Sequence, residues 1–286
     1  MKQRWDVLTV ILLLILSVVI YNFAGRDKAK SVREGEVTIA PHKVIYKFKL
    51  DSVSPGVALN SVDGEMYFEQ DDTCEAWTTD HKLSMKYYYN DQPVVINKSH
   101  YVAFENKNRK EFSFSSERKD SDGEEEKLRG SIEQTDKGFN AVYSRPKELK
   151  HKLPKDFFLP TSHAMEIIKR AKAGEKLFKS TVFDGTDLEG PVEVSVFIGK
   201  KLSYKDVEKR IKKTKKIDKS LLKGNAWSVR LAVFPINRTK DITPAYETDM
   251  VIHENGIISS SLIDYKGFKI KQVLTALDKL KVRDCD

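Results

Sequence analysis

The sequence lacks the motifs of the common catalytic and metal-binding families. It has no G-x-S-x-G nucleophile motif, no glycine-rich phosphate loop, no H-E-x-x-H zinc motif and no C-x-x-C pair. The few histidines are scattered singly, without ligand spacing, at His42, His81, His100, His151, His163 and His253. We therefore predict no catalytic residue, no metal site and no cofactor, and we expect a protein that is not an enzyme.

An overall excess of charge is also missing from most of the chain. The formal net charge of the 286 residues is +8, but Lys200–Lys223 alone holds eleven basic and three acidic residues. The other 262 residues carry 39 charges of each sign. A nucleic-acid-binding domain spreads its cations over a face that follows the phosphates, so we expect no nucleic-acid partner.

The basic stretch 200–223 alternates cations with apolar residues, and a helix from about Ser203 would place Val207 and Ile211 on one stripe. It is interpreted as a solvated excursion between strands, which could be deleted from Ser203 to Lys219 without loss of folding, or as a surface attracted to anionic lipid head groups. Two further interpretations are a docking segment for a partner protein and a nucleic-acid-binding arm, which the near absence of aromatic residues disfavours. The residues that would contact lipid are Lys209, Arg210, Lys212, Lys213, Lys215 and Lys216.

Long hydrophobic runs are absent except at the N-terminus. Lys2 and Arg4 precede an apolar run over residues 7–20, which extends to residue 24 with softer residues. This pattern is typical of an export signal, and its length suits either a cleaved signal peptide or an uncleaved membrane anchor within residues 1–24. Residues 25–38 form a polar linker, and residues 39–286 are expected to form one domain.

Cysteine is scarce, with only Cys74 and Cys285 in the chain. One interpretation is two unrelated buried thiols. The other is a disulfide that encloses most of the domain and persists only in an oxidising space such as the periplasm.

Alternation of apolar and polar residues recurs from Lys43 onward and predicts an antiparallel β-meander. One helix interrupts it, with a start signal at Pro160-Thr161-Ser162 and a C-terminal cap at Gly174. Asn255-Gly256 predicts a hairpin in which both turn residues have positive φ. The segment Phe268–Val282 is ambiguous between strand and helix. Phe183-Asp184-Gly185-Thr186-Asp187 is interpreted as a turn rather than as a catalytic carboxylate pair.

A series of short motifs runs in order along residues 39–285. The motifs are Ala40-Pro41-His42, Tyr46, Gly64-Glu65-Met66, Cys74, Trp77, Leu153-Pro154, Phe158, Pro160, His163, Gly174-Glu175, Val182-Phe183-Asp184-Gly185, Ile198-Gly199, Pro244, Tyr246-Glu247, Asn255-Gly256, Asp264-Tyr265 and Cys285. In this order they resemble the cell-envelope-integrity EipB-like family of alphaproteobacterial periplasmic proteins. The basic stretch 200–223 is not part of that pattern.

The resemblance implies a mainly β, single-domain fold: a long antiparallel sheet curled into a spiral or open barrel around an apolar interior, with one principal helix, similar in shape to periplasmic lipoprotein carriers. It also implies a disulfide between Cys74 and Cys285. Family members are secreted after cleavage, which favours the signal peptide, whereas an anchor at residues 7–24 would tether the domain to the inner membrane.

The function that we expect from these features is non-enzymatic support of the cell envelope from the periplasm. A monomer would bind an apolar or lipidated ligand, or an envelope partner protein, in the concavity of the curled sheet. Contact with a membrane surface is part of this hypothesis. Two alternatives are a hydrolase of envelope polymers with dispersed catalytic carboxylates, and a pure protein scaffold.

Overall fold

The computed structural model describes residues 37–211, 214–236 and 243–285. Apolar and polar side chains alternate along most of the strands, as expected for a sheet with one buried face. The strands are β1 (His42–Val53), β2 (Leu59–Asp72), β3 (Ala76–Tyr89), β4 (Val95–Asn106), β5 (Phe112–Asp120), β6 (Glu125–Thr135), β7 (Gly138–Arg145), β8 (Leu149–Leu153), β9 (Leu177–Val182), β10 (Val192–Leu202), β11 (Ala226–Pro235), β12 (Tyr246–His253), β13 (Ile258–Tyr265) and β14 (Phe268–Lys279).

All fourteen strands in the described residues belong to one antiparallel sheet, with the order β8-β7-β6-β5-β4-β3-β2-β1-β14-β13-β12-β11-β10-β9. The same face is buried along this order, so the sheet curls around its own core rather than lying flat. The segment Phe268–Val282, ambiguous from sequence, forms β14 and joins β1 to β13. The predicted mainly β, curled, antiparallel fold with one principal helix is confirmed.

The edge strands β8 and β9 are joined through the helix α1 (Pro160–Ala173). Just before α1, Phe158 runs beside β9: its N–H donates to the Thr181 carbonyl at 2.8 Å, and its own carbonyl accepts from the Phe183 N–H at 3.0 Å. These bonds occupy edge groups of β9 that would otherwise be open to pairing with another chain.

The ends of α1 were only partly predictable. Gly174 caps the C-terminus with φ 81°, as its position predicts. The first N–H groups are not satisfied by a local Thr or Ser cap, however. The N–H groups of Thr161 and Ser162 donate to the two carboxylate oxygens of Glu105 on β4, each at 2.8 Å, while the Ser162 side chain bonds the Leu159 backbone. A buried carboxylate from a distant strand therefore fixes this end of the helix.

The core consists of two clusters on the buried face. The large cluster joins β1–β3, β9–β14 and the apolar stripe of α1, which consists of Ala164, Ile167, Ile168 and Ala171. The aromatic cluster lies under β4–β8, and its buried members are Tyr101, Phe112, Phe114, Leu128, Ile132, Ala141, Tyr143, Leu153, Phe157, Leu159 and Phe183.

The basic stretch 200–223 is more firmly attached than a solvated excursion. It contains α2 (Tyr204–Glu208), which starts at the predicted cap Ser203, and a 3-10 turn (Lys219–Leu222). Residue 217 forms a bridge with Leu277 of β14. Its apolar side chains are buried in the large cluster, which argues against deleting Ser203–Lys219 without loss of folding; the outcome of that deletion stays a prediction. These side chains are Val207, Ile211, Ile217, Leu221 and Leu222.

The Asn255-Gly256 hairpin forms as predicted between β12 and β13. Only Gly256 has a positive φ, however, at 70°; Asn255 does not. The pairing register of β12 with β13 shifts between Val251 and Ile252, which marks a bulge next to the turn. The bulge adds local twist to the hairpin, so a second residue with positive φ is not needed in the turn.

Candidate functional site

The structure has a groove on the outer face of β2–β7, opposite the aromatic cluster. Its volume is about 780 Å³, within the range of small-molecule sites. Most side chains along it lie at the outward positions of successive strands, whereas Thr79, Ala103, Phe114 and Gly130 are on the buried face. The lining residues are Glu69, Thr78, Thr79, Asp80, Val102, Ala103, Phe104, Ser113, Phe114, Ser115, Arg129, Gly130, Ser131, Glu133, Val142 and Ser144. A cleft inside the spiral stays a prediction.

The groove follows two rows of cross-strand neighbours. In one row Val102, Ser115 and Arg129 lie opposite one another on β4, β5 and β6. In the next row Phe104, Ser113 and Ser131 are aligned in the same way, and Val142 continues this row on β7. Small serine side chains in the middle strands leave room between bulkier groups at the two sides.

Local irregularities bend the sheet under the groove. The pairing of β6 with β7 shifts register between Arg129 and Gly130, which marks a β-bulge. Gly130 faces the core, where a Cβ atom would lie 2.6 Å from the Phe114 ring. Only glycine lets β6 approach the aromatic cluster this closely.

Apolar side chains of the groove remain open to solvent although they lie in a sheet. Val102 is 37% exposed, and Phe104 and Val142 are partly exposed. Grouped apolar side chains on an outer face are a feature of ligand and partner sites.

The carboxylates of the groove already have partners. Asp80 forms an ion pair with Lys82 at 3.0 Å and a hydrogen bond with His100 Nε2 at 2.9 Å. Glu133 lies 3.6 Å from the ammonium of Lys150. Glu69 accepts a hydrogen bond from the Tyr67 hydroxyl, which helps burial to raise the pKa of that hydroxyl.

The cations at the β6–β7 end are different: Arg129 lines the groove, whereas Arg145 follows the lining residue Ser144 and is not itself part of the lining. Arg129 and Arg145 lie directly opposite each other in the strand register. Both are exposed. Within residues 37–211, 214–236 and 243–285, neither forms an ion pair with a carboxylate. Like charges directly opposite on neighbouring strands are destabilising by themselves.

The segment 183–190, which we call the strap, crosses the aromatic cluster on the buried face. Phe183 inserts between the rings of Phe112, Phe114 and Tyr143 with edge-on geometry. Gly185, with φ 74°, leaves no room for a Cβ atom, which would lie 2.5 Å from the Phe114 ring.

Hydrogen bonds hold the strap along its length. Its backbone carbonyls accept from side chains of four strands of the aromatic-cluster region. These bonds are Tyr101 Oη to Asp184 O at 2.8 Å, Tyr143 Oη to Asp187 O at 2.5 Å, His151 Nε2 to Leu188 O at 2.9 Å, and Arg118 to Thr186 O.

The carboxylates of the strap serve its own turn. Asp184 Oδ1 accepts from the Thr186 N–H and hydroxyl, both at 2.9 Å. Burial raises the pKa of Asp184 to about 7, and the nearby charge of Asp187 adds to this effect. Burial also raises the pKa of Asp187. The predicted turn chemistry is therefore present, but in a strap docked against a core rather than in a surface turn.

The disulfide between Cys74 and Cys285 is present, with the Cα atoms 5.7 Å apart. Cys74 lies in the turn between β2 and β3, and Cys285 follows β14. An ion pair of 2.9 Å between Arg283 and Asp71 supports the same junction. The bond joins the C-terminal segment to an early hairpin.

The remaining predicted sites have mixed outcomes. Lys209, Arg210, Lys215 and Lys216 are exposed, so lipid contact by these residues stays a prediction, whereas Lys212 and Lys213 lie outside the described residues. In the part of the chain that the structure describes, no three His, Cys, Asp or Glu side chains are grouped to hold a metal ion. None of the helices described is both long and apolar enough to cross a bilayer. The predicted signal peptide or anchor, residues 1–24, lies outside the described residues.

Comparisons with known proteins agree with this fold. The model of the EipB-like family matches residues 33–281. The cell envelope integrity protein EipB of Brucella abortus (strain 2308) is 29% identical over 259 residues, which cover 90% of this chain and 89% of that protein. The crystal structure of a β-barrel-like protein with a domain of unknown function, also from Brucella abortus, superposes with a TM-score of 0.76 at 26% identity and covers 86% of this chain and all of that chain.

Proposed function

Because the chain belongs to the EipB-like family, we propose that it supports the cell envelope from the periplasm by holding a ligand in the groove on the outer face of β2–β7. An envelope-associated role follows from its similarity to a cell envelope integrity protein over nearly its whole length. The observation that carries the binding role is the groove itself, where exposed apolar side chains lie beside serine hydroxyls.

The geometry of the groove favours binding over hydrolysis. Glu69 and Asp80 lie directly opposite each other on β2 and β3, as a pair of catalytic carboxylates could. A general acid needs a carboxyl group kept protonated by an apolar site. Asp80 is instead partly exposed, paired with Lys82 and hydrogen-bonded to His100, and Glu69 is hydrogen-bonded to Tyr67. These carboxylates shape the charge of a binding surface.

Filling the groove tests this proposal. Ser131→Trp places a large ring between Phe104 and Val142, whereas Ser195→Trp places the same ring on the outer face of β10, away from the groove. Cells lacking the wild-type protein would express one variant or the other and be grown in the presence of detergent. We expect Ser131→Trp to leave the cells sensitive and Ser195→Trp to restore resistance.

Both variants must be shown to be folded, by circular dichroism and by an intact disulfide, before the comparison is made. Equal restoration by the two folded variants would contradict a role for the groove. An envelope role with a scaffold surface elsewhere would then be the better interpretation.

A further inference from the structure

We infer that the groove recognises an amphiphile with an anionic head group, a phosphate or a carboxylate, held between Arg129 and Arg145. Its single hydrocarbon chain would lie over Val102, Phe104 and Val142. This inference rests on the proposed function, because it names the class of ligand for the same groove.

The charge distribution provides the first argument. Along the groove, Asp80 and Glu133 are paired with lysine ammonium groups, and Glu69 accepts a hydrogen bond from the Tyr67 hydroxyl. Arg129 and Arg145 have no opposing carboxylate in the described residues, although their Cα atoms are paired in the register. An anion between the two guanidinium groups would convert a repulsive pair into two charge-assisted contacts.

The hydroxyls around Arg129 provide the second argument. Ser115 is its direct neighbour on β5, and Ser144 bonds the Arg129 carbonyl at 3.3 Å. Ser131 lies two residues further along β6 and also lines the groove. The Ser144 hydroxyl already donates to the Arg129 carbonyl, so Ser115 and Ser131 are the hydroxyl donors that, together with the guanidinium groups, match phosphate and carboxylate oxygens.

The position of the apolar groups provides the third argument. Val102 lies in the same row as Arg129 but two strands away, or about 10 Å given the usual strand spacing. Phe104 lies on the same strand as Val102, at one end of the neighbouring row, whereas Val142 lies on β7 at the other end of that row, on the arginine side of the groove. A cationic end and an apolar end at this separation fit a molecule with a charged head and a hydrocarbon tail better than a small free anion.

Titration calorimetry with dodecyl phosphate, below its micelle concentration, tests the inference on the purified protein. Dodecyl maltoside has the same chain with a neutral head, and inorganic phosphate has the head without the chain. We expect dodecyl phosphate to bind at least about tenfold more tightly than either comparison compound, since loss of one charge-assisted contact typically costs about a factor of ten or more.

Matched variants separate the head from the chain. Arg129→Gln should lower the affinity for dodecyl phosphate about tenfold. The double variant Arg129→Gln/Arg145→Gln should bind dodecyl phosphate only as tightly as dodecyl maltoside. Lys127→Gln removes the same charge from β6, but that lysine is paired with Glu125 at 3.1 Å, so we expect no change. Phe104→Ala should weaken both dodecyl compounds alike, whereas Phe197→Ala, an exposed phenylalanine on β10, should weaken neither.

The outcomes distinguish the two proposals. If both dodecyl compounds bind equally and the arginine variants do not change the affinity, the inference of an anionic head group is wrong, but the groove remains a ligand site. If inorganic phosphate binds as tightly as dodecyl phosphate, the inference that the groove holds a hydrocarbon chain is wrong. If none of the three compounds binds and Ser131→Trp restores detergent resistance, both proposals fail.

Discussion

The two clusters of the core are built in different ways although one sheet contains both. The large cluster joins segments that are far apart in the chain: β1 pairs with β14, α1 packs from the middle of the sequence, and the disulfide joins Cys74 to Cys285. The aromatic cluster lies under five strands that follow one another in sequence, and the strap covers it. The comparison suggests that the large cluster provides the frame, whereas the local meander β4–β8 shapes the groove on its outer side.

The two regions also differ in their buried titratable groups. Burial lowers the pKa values of His42, His163 and His253, which belong to strands and the helix of the large-cluster region, to about 4, about 3 and about 4. In the strap, burial instead raises the pKa of Asp184 to about 7. Acid therefore opposes the folding of the first region, whereas a rise in pH opposes the docking of the strap.

The largest effect should come from loss of the disulfide. Cys74→Ser opens a loop with a sequence separation of 211 residues, and the chain-entropy model assigns about 5 kcal/mol to such a closure, as an upper value. We expect the melting temperature to fall in oxidising buffer. Hydrogen exchange should show faster exchange in β1, β2 and β14 than in β5–β7 if the large cluster is a separate frame.

Two controls sharpen this test. Cys285→Ser should reproduce the effect, and the difference from wild type should vanish under reductant. An unchanged melting temperature in oxidising buffer would contradict the stabilising role. Equal loss of exchange protection across β1–β14 would show that the two clusters unfold as one cooperative unit.

Much of this frame could be predicted from the sequence because it depends on local patterns. Alternation at Val44, Tyr46 and Phe48 predicts β1, and Gly174 predicts the end of α1. The disulfide was implied by the family resemblance. These features require only the identity of neighbouring residues or the order of motifs along the chain.

The groove could not be predicted in the same way. Ser113 and Ser115 alternate with Phe112 and Phe114, so their outward direction is visible in the sequence. Their alignment with Ser131 and Arg129, however, depends on the register of neighbouring strands and on a bulge, which are set by tertiary pairing. The use of Glu105 to cap α1 was missed for a related reason, because nothing near either segment signals a contact between residues more than fifty positions apart.

The attachment of the basic stretch to the core could not be predicted for another physical reason. Its cations dominate the composition, but Val207, Ile211 and Ile217 determine its position by entering the large cluster. Short amphipathic segments of this kind bury few side chains each, so charge counts alone hide their attachment to a core.

The next effect in size should come from His163 in α1. Its Nε2 lies 2.8 Å from the Ser180 hydroxyl, and its pKa is lowered to about 3 by burial. The unfolded chain takes up a proton near pH 6.5, whereas the folded protein resists it, so the stabilisation is complete above pH 6.5 and is lost as the pH falls toward 3. At pH 5 the stabilisation lost through this one histidine amounts to about 2 kcal/mol.

His163→Gln removes that proton uptake. The free energy of unfolding, measured by urea denaturation, should fall between pH 7 and pH 5 for both proteins. We expect the fall to be about 2 kcal/mol larger for wild type than for His163→Gln. His100→Gln is the control, because His100 is partly exposed and paired with Asp80. Parallel pH profiles for wild type and His163→Gln would show that burial of His163 does not make the large-cluster region sensitive to acid.

The smallest effect should come from the strap, and it has the opposite sign. Because the folded-state pKa of Asp184 is raised from 3.8 to about 7, the folded protein retains a proton that the unfolded chain releases. The stability linked to this carboxyl group is therefore complete below about pH 4 and is lost as the pH rises toward 7. Asp184 is partly exposed, which reduces the expected loss to roughly 1–2 kcal/mol.

Asp184→Asn keeps an oxygen that can accept from the Thr186 N–H but cannot ionise. Relative to wild type, we expect this variant to gain about 1–2 kcal/mol between pH 5 and pH 8. Hydrogen exchange should be slower in the strap and in β5–β7 at pH 8. Asp156→Asn, an exposed position before α1, should show no such gain. If the gain appeared instead in β12 and α1, the strap would be coupled to the frame, and the opposite pH responses would belong to one cooperative structure rather than to two regions.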